Sequence, residues 1–174
     1  MKRRLTLIGL VGVALVALVA VVLTRPIPSA HARGGGWILN QFPPYLDGYC
    51  AFRVDLTILM NKEYSKSETQ PDGSVVIHVT GALKVATTND ATGKTVDYNI
   101  SGPGTTTVYP DGSVFTDGDG ATLQFFPPAA QQAYGVPPLF YFSGHFTSLV
   151  DANGNVISFT KVGGPISDAC AALS

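Results

Sequence analysis

Four successive runs of alternating apolar and polar residues are each broken near the middle by glycine. The breaks fall at Gly81, at Gly102-Pro103-Gly104, at Gly118 to Gly120 and at Gly144. Period-two alternation marks half-buried strands. Glycine inside a strand marks a bend, a bulge or a close backbone approach. Long antiparallel strands that all bend at mid-length form a sheet that coils on itself with its apolar faces inside.

The apolar sets define the strands. Phe52, Val54, Leu56, Ile58 and Met60 are expected on one face. So are Val75, Ile77, Val79, Leu83 and Val85, and then Val96, Tyr98, Ile100 and Val108. Phe140, Phe142, Phe146 and Val150 make a fourth set, Ile157 and Phe159 a fifth, and Leu123 and Phe125 a shorter strand. Turn residues separate them: Pro71-Asp72-Gly73, Asn89 to Gly93, Pro110-Asp111-Gly112 and Asn153-Gly154. Opposing Asn89 to Lys94 brings Thr87 to Val96, Val85 to Tyr98 and Leu83 to Ile100, and continues to Val79 with Gly104 and Val75 with Val108. Pairing Tyr109 with Ser113 puts Val108 against Val114. A two-residue turn at Asn153-Gly154 puts Val150 against Ile157 and Ser148 against Phe159. A one-residue slip would expose each apolar set, so these registers are mutually restrictive.

The fold class is therefore all-β: an antiparallel meander barrel or a strongly curved β-sandwich. A short C-terminal helix, capped by Ser167 or Asp168, runs through Leu173. Six strands are firm, whereas Trp37-Ile38-Leu39 and the stretch from Lys62 to Gln70 have no clear partner. Residues 127–138, rich in Pro and Ala, read as one long loop between strands, a length used for lids and binding loops and more commonly for plain connectors.

Ahead of the strands stands an export leader. Met1-Lys2-Arg3-Arg4 is cationic, residues 5–23 carry no charge, and Ala30-His31-Ala32 has the small-x-small cleavage pattern. Residues 1–32 are thus expected to be a signal peptide cut after Ala32; left uncut, the same segment would be an N-terminal membrane anchor. Residues 33–49 are an irregular lead-in and 50–174 a single β-domain, placed outside the cytoplasm as a secreted or anchored protein. Cys50 and Cys170 are the only cysteines, and in an oxidising compartment two such thiols pair with each other.

Composition excludes several classes of function. From residue 33 onward there are seven Lys and Arg against twelve Asp and Glu, a net charge of −5, so no nucleic-acid partner is expected. The two histidines of this part, His78 and His145, lie opposite the apolar faces. A metal site would need them to converge with Asp97. Asp151-Ala152-Asn153-Gly154-Asn155 opens like a calcium loop, but Val156 and Val162 occupy the positions that require Gly and Glu. Asp117-Gly118-Asp119-Gly120 is a flexible acidic stretch. Gly102-Pro103-Gly104 lacks the Lys and following helix of a phosphate cradle. No nucleophile elbow is present, so cyclase or hydrolase chemistry has no motif in its favour. No metal, cofactor or catalytic residue is expected.

What remains is a non-catalytic barrel. Tyr98, Phe125, Phe140, Phe142 and Phe146 are expected to face inward together, beneath the 127–138 loop, as the lining for a small apolar ligand. The competing expectation is a structural or interaction protein of the cell envelope in which these rings fill the core.

The pattern of Cys50, Asn99-Ile100-Ser101-Gly102-Pro103-Gly104 and Asp168-Ala169-Cys170-Ala171-Ala172-Leu173 behind an export leader resembles a family of exported proteins from high-GC Gram-positive bacteria. That family has no assigned activity, so the resemblance implies an exported β-domain and no catalytic residues. In outline the architecture is also similar to lipocalin and allene oxide cyclase barrels, a likeness of shape alone.

Overall fold

A computed structural model describes residues 36–174. The leader and its cleavage site at Ala32 lie outside the described residues. The longest strand, β3 (Val54–Thr69), pairs along its whole length with β4 (Val75–Asn89), and from there the chain meanders antiparallel. β4 is long enough to pair twice. Its C-terminal half holds β5 (Thr95–Ser101), with Thr87 against Val96, Val85 against Tyr98 and Leu83 against Ile100. Its N-terminal half holds β6 (Gly104–Val108), with Val79 against Gly104 and Val75 against Val108. β7 (Val114–Gly118) and β8 (Ala121–Phe125) divide β9 (Leu139–Val150) in the same way, and β10 (Val156–Gly163) completes the meander. Each predicted long strand is thus present, with two of them broken into β5/β6 and β7/β8.

The break is a crease across the sheet. At one end β4, β6, β7, β9 and β10 are continuously paired. At the other end β5 and β8 do not pair, and the sheet parts into β3–β4–β5 and β8–β9. Glycine allows the turn because backbones cross there. A Cβ on Gly102 would stand 1.8 Å from the Asp119 carbonyl oxygen, which leaves no room for any other residue.

Between the parted halves lies the first core cluster, built on Val54, Leu83, Val85, Tyr98, Ile100, Leu123 and Leu139. Its far end is closed by α2 (Ala169–Leu173), capped by the Asp168 carboxylate, which accepts the Ala171 N–H at 2.9 Å. Asn89, fully enclosed, donates its amide to the Leu173 carbonyl at 3.1 Å and accepts from Ala91 N at 2.9 Å, so the hairpin grips the helix without leaving a buried polar atom unpaired. Cys50 and Cys170 are joined, with Cα atoms 5.5 Å apart, tying the first strand's lead-in to α2. The second cluster, on the other side of β9, holds Phe126, Ala130, Val136, Phe140, Phe142 and Phe146.

The all-β fold, a curved antiparallel sheet with a short C-terminal helix, is as expected, in its open form and not as the closed barrel, and three finer expectations are corrected. The sheet is curved but does not close into a barrel. The outer edge of β3 is already taken by β1 (Ile38–Leu39), paired to Tyr64 and Ser65, and by β2 (Tyr45–Leu46), paired to Val54 and Asp55, so no free edge meets β10. Met60 does not share the face of Phe52, Val54, Leu56 and Ile58. A bulge between Ile58 and Met60 shifts the register, Met60 pairs with Lys84, and Glu63 takes the inward parity. The turn after β9 is longer than two residues: Asp151 N–H bonds the Asn155 carbonyl, Val150 meets Val156, and a second bulge restores Ser148 to Phe159. The 127–138 stretch is no open loop, because Pro128–Tyr134 forms a helix, α1, ended by Gly135 in the left-handed conformation (φ 61°).

Candidate functional site

β9 decides where the predicted aromatic lining goes. Successive side chains of a strand point to opposite faces. Leu139 and Tyr141 accordingly reach the first cluster, while Phe140, Phe142 and Phe146 reach the second. The five predicted ligand residues are therefore not one wall. Tyr98 and Phe125 belong with the first cluster, and the three Phe residues of β9 lie beyond the strand, under α1 and against Phe159 of β10.

Those three rings fill their space. Phe140 stands 5.2 Å from Phe126 and 5.9 Å from Phe142, and Phe142 stands 5.5 Å from Phe146, centroid to centroid. These are ordinary separations for packed aromatic pairs. Phe140 and Phe142 are wholly buried. The predicted pocket beneath the 127–138 segment is thus occupied by the protein's own rings.

A cleft exists on the opposite side, in the first cluster. It measures about 40 Å³. The lead-in supplies Phe42, Pro43 and Leu46, β3 supplies Leu56 and Ile58, β4 Leu83 and Val85, β5 Ile100, and β8 Leu123 and Phe125. The parting of β5 from β8 at the crease makes the space, and the lead-in roofs it. Of the five predicted residues only Phe125 lines it. No lining side chain titrates, so the cleft offers shape and apolar contact and no acid, base or nucleophile. The signal for its lead-in wall was present in Phe42-Pro43, but an irregular segment has no period from which to assign a face.

Polar groups near the cleft serve the fold. Burial pushes the Tyr49 hydroxyl upward, and its ring packs 3.9 Å from that of Phe125. Burial also raises Tyr98, with smaller contributions from Asp168 and Tyr141; the Tyr98 and Tyr141 rings are 4.9 Å apart. Glu63 is the one charged residue sealed among the described residues, at 6% exposure. It accepts the Asn40 amide at 2.8 Å, Asn61 donates to the Asn40 carbonyl at 2.8 Å, and the Glu63 N–H bonds Asn61 Oδ1 at 3.0 Å. This knot fastens β1 to β3. Burial raises the Glu63 carboxyl, and the Asn40 bond opposes that rise.

The other candidates do not converge. His145 Nδ1 lies 3.6 Å from Asp117 Oδ1, both half-exposed. His78 pairs with Thr105 near one end of β4, while Asp97 pairs with Ala86 near the other. No group of three or more metal-ligating side chains occurs among the described residues. Asp151 spends its oxygens on its own turn, accepting from Asn153 N, Asn155 N and Asn155 Nδ2 at 2.8–2.9 Å, which holds its carboxyl below the usual range, the Asn155 side chain first. Ser74 and Ser113 do the same for Asp72 and Asp111 in the two Pro-Asp-Gly-Ser-Val turns. No helix among the described residues is long and apolar enough to cross a membrane.

No family model, curated protein or solved structure matches the chain.

Proposed function

We propose that the chain is an exported, non-catalytic β-domain with a filled core that acts as a structural or interaction protein of the cell envelope. The observation that carries this reading is the packing of the aromatic set. The rings of Phe126, Phe140, Phe142 and Phe146 touch one another, and the cleft beyond β9 measures about 40 Å³. Ligand pockets are commonly about 300–1,000 Å³. Export is supported by the sequence of residues 1–32 and by the Cys50–Cys170 bond, since such bonds persist in oxidising compartments. Membership in the exported family that the sequence resembles is part of the same proposal.

The cleft itself favours a second reading, in which it accepts the end of an alkyl chain. Titration with a long-chain fatty acid, followed by calorimetry, separates the two. A filled core gives no saturable heat. Saturable binding that disappears in Leu56→Trp, which plugs the cleft, would replace the filled-core reading. Phe142→Ala, in the other cluster, is expected to lower stability by about 3–5 kcal/mol and to create no fatty-acid site.

A further inference from the structure

β10 is the last strand of the sheet, and among the described residues nothing pairs with its outer side. Which of its backbone groups face outward follows from one hydrogen bond. Gly164 N–H donates to the Ser143 carbonyl at 3.0 Å, and the register runs on through Val162 with His145 and Thr160 with Thr147. In an antiparallel pair, alternate residues exchange the inter-strand bonds and those between them turn their groups away. From Ser158 onward the even residues of β10 therefore bond β9, and Phe159, Lys161 and Gly163 present N–H and C=O groups to the outside; the bulge at Ile157 ends this alternation.

Protected edges carry charge, proline or a covering segment. β10 has no proline and no carboxylate, and its one charge is folded back: the Lys161 ammonium bonds the carbonyls of Gly163 and Gly164 and lies 5.6 Å from the Phe142 ring centre. Beside this edge Val162 is 70% and Ile157 55% exposed.

We propose that β10 pairs antiparallel with β10 of a second copy of this chain, about a two-fold axis at Thr160. The strand's own parity selects the register. With the axis at Thr160, Phe159 pairs with Lys161 of the second copy and Lys161 with its Phe159, while Gly163, whose carbonyl already accepts from Lys161, meets the bulge at Ile157. Moving the axis to Lys161 sets two ammonium groups face to face, which is destabilising. Moving it to Phe159 sets Lys161 against the bulge at Ile157 and leaves Gly163 without a partner in the strand. At the chosen axis Ser158 faces Val162, and Lys161 faces an aromatic ring instead of its own copy. A two-fold contact of this kind is closed and self-complementary, so it ends at a dimer. It extends the surface role proposed above and rests on the edge alone; a fatty acid in the cleft would leave it unchanged.

The test uses the protein as exported. At the axis Thr160 faces itself as a non-hydrogen-bonded pair, with Cα atoms about 4.5 Å apart, inside the span of a disulfide. Sedimentation at high micromolar concentration is expected to give a dimer. Thr160→Cys is expected to form a reducible covalent dimer, whereas Thr69→Cys, exposed at the end of β3, is not. Lys161→Pro removes an outward N–H and should yield a monomer with an unchanged far-UV spectrum; if that variant does not fold, the cysteine comparison still decides. A monomer at that concentration, or a dimer in which cysteine at 160 cross-links no better than at 69, overturns the proposal.

Discussion

Gly144→Ala tests whether the crease holds the sheet together. Gly144 has φ +128°, a region that residues with a Cβ rarely enter, and holding one there costs about 1–3 kcal/mol. The added methyl would also stand 2.2 Å from the Val162 carbonyl oxygen and 3.0 Å from the Gly163 Cα. Both are backbone atoms of β10, which cannot swing aside as a side chain can, so overpacking adds about 1–3 kcal/mol. The sum, about 2–6 kcal/mol, is a large share of the roughly 5–15 kcal/mol of a typical domain. Gly135→Ala is the control. It too has positive φ (+61°), but nothing lies within 4 Å of the new carbon, so only left-handed strain remains, about 1–2 kcal/mol. In urea, with a slope of about 1–3 kcal/mol/M, the Gly144 variant should lose about 1–3 M of its midpoint. The Gly135 variant should lose visibly less. Equal losses in the two variants, or a Gly144 loss under about 0.5 kcal/mol, would refute the close crossing of β9 and β10 as the source of the cost.

Other outcomes follow from single residues. Cys170→Ala opens a bond that spans 120 residues; the chain-entropy model puts the stability loss at up to about 5 kcal/mol, read from melts with and without reductant, and alkylation of the intact protein should label no thiol. Glu63 has its carboxyl raised in the folded state, so the protonated form is the one the fold prefers; its favourable contribution is complete below the unfolded value and is lost as pH rises through the folded one. Glu63→Gln should therefore be at least as stable as the parent at neutral pH, with the difference vanishing in acid, and a variant less stable at pH 7 would show that the carboxylate charge itself fastens β1. Intact mass of the exported protein should correspond to a chain beginning at Arg33, and a membrane-bound product retaining Met1 would assign the segment as an anchor.

The parts of the fold that were legible in the sequence are those governed by local parity. Val85 with Tyr98, Val75 with Val108 and Val108 with Val114 follow from turn residues and alternation alone, and the pairings agree. The cysteine pair was legible because only two thiols were available to choose from. Two bulges escaped because each adds one residue without changing composition. The bulge near Leu59 turns Met60 outward and Glu63 inward, and nothing in Leu-Met-Asn-Lys-Glu signals where the parity shifts. Helix α1 had signals that the reading as a loop passed over: Pro at its first position, three Ala and two Gln within it, and Gly at its end. Seven residues are too few to establish a helical period, so composition outweighed the caps.

The aromatic residues were misplaced for a deeper reason, which lies in β9. Alternation tells which residues of a strand share a face, but it identifies the buried face only when the opposite face is wet. In the first half of β9 both faces are dry, since Leu139 is as buried as Phe140 and Tyr141 is half-buried. Leu139-Phe140-Tyr141-Phe142 is a continuous apolar run, the mark of a strand covered on both sides. A strand of that kind requires two layers above it, and here they are β3–β4–β5 across the first cluster and α1 across the second. The continuous run therefore implied the missing layer, and the Pro- and Ala-rich stretch between β8 and β9 was a segment free to supply it. With α1 seated there, the Phe rings serve as its floor, and the space left for anything foreign shrinks to the cleft on the far side of the strand.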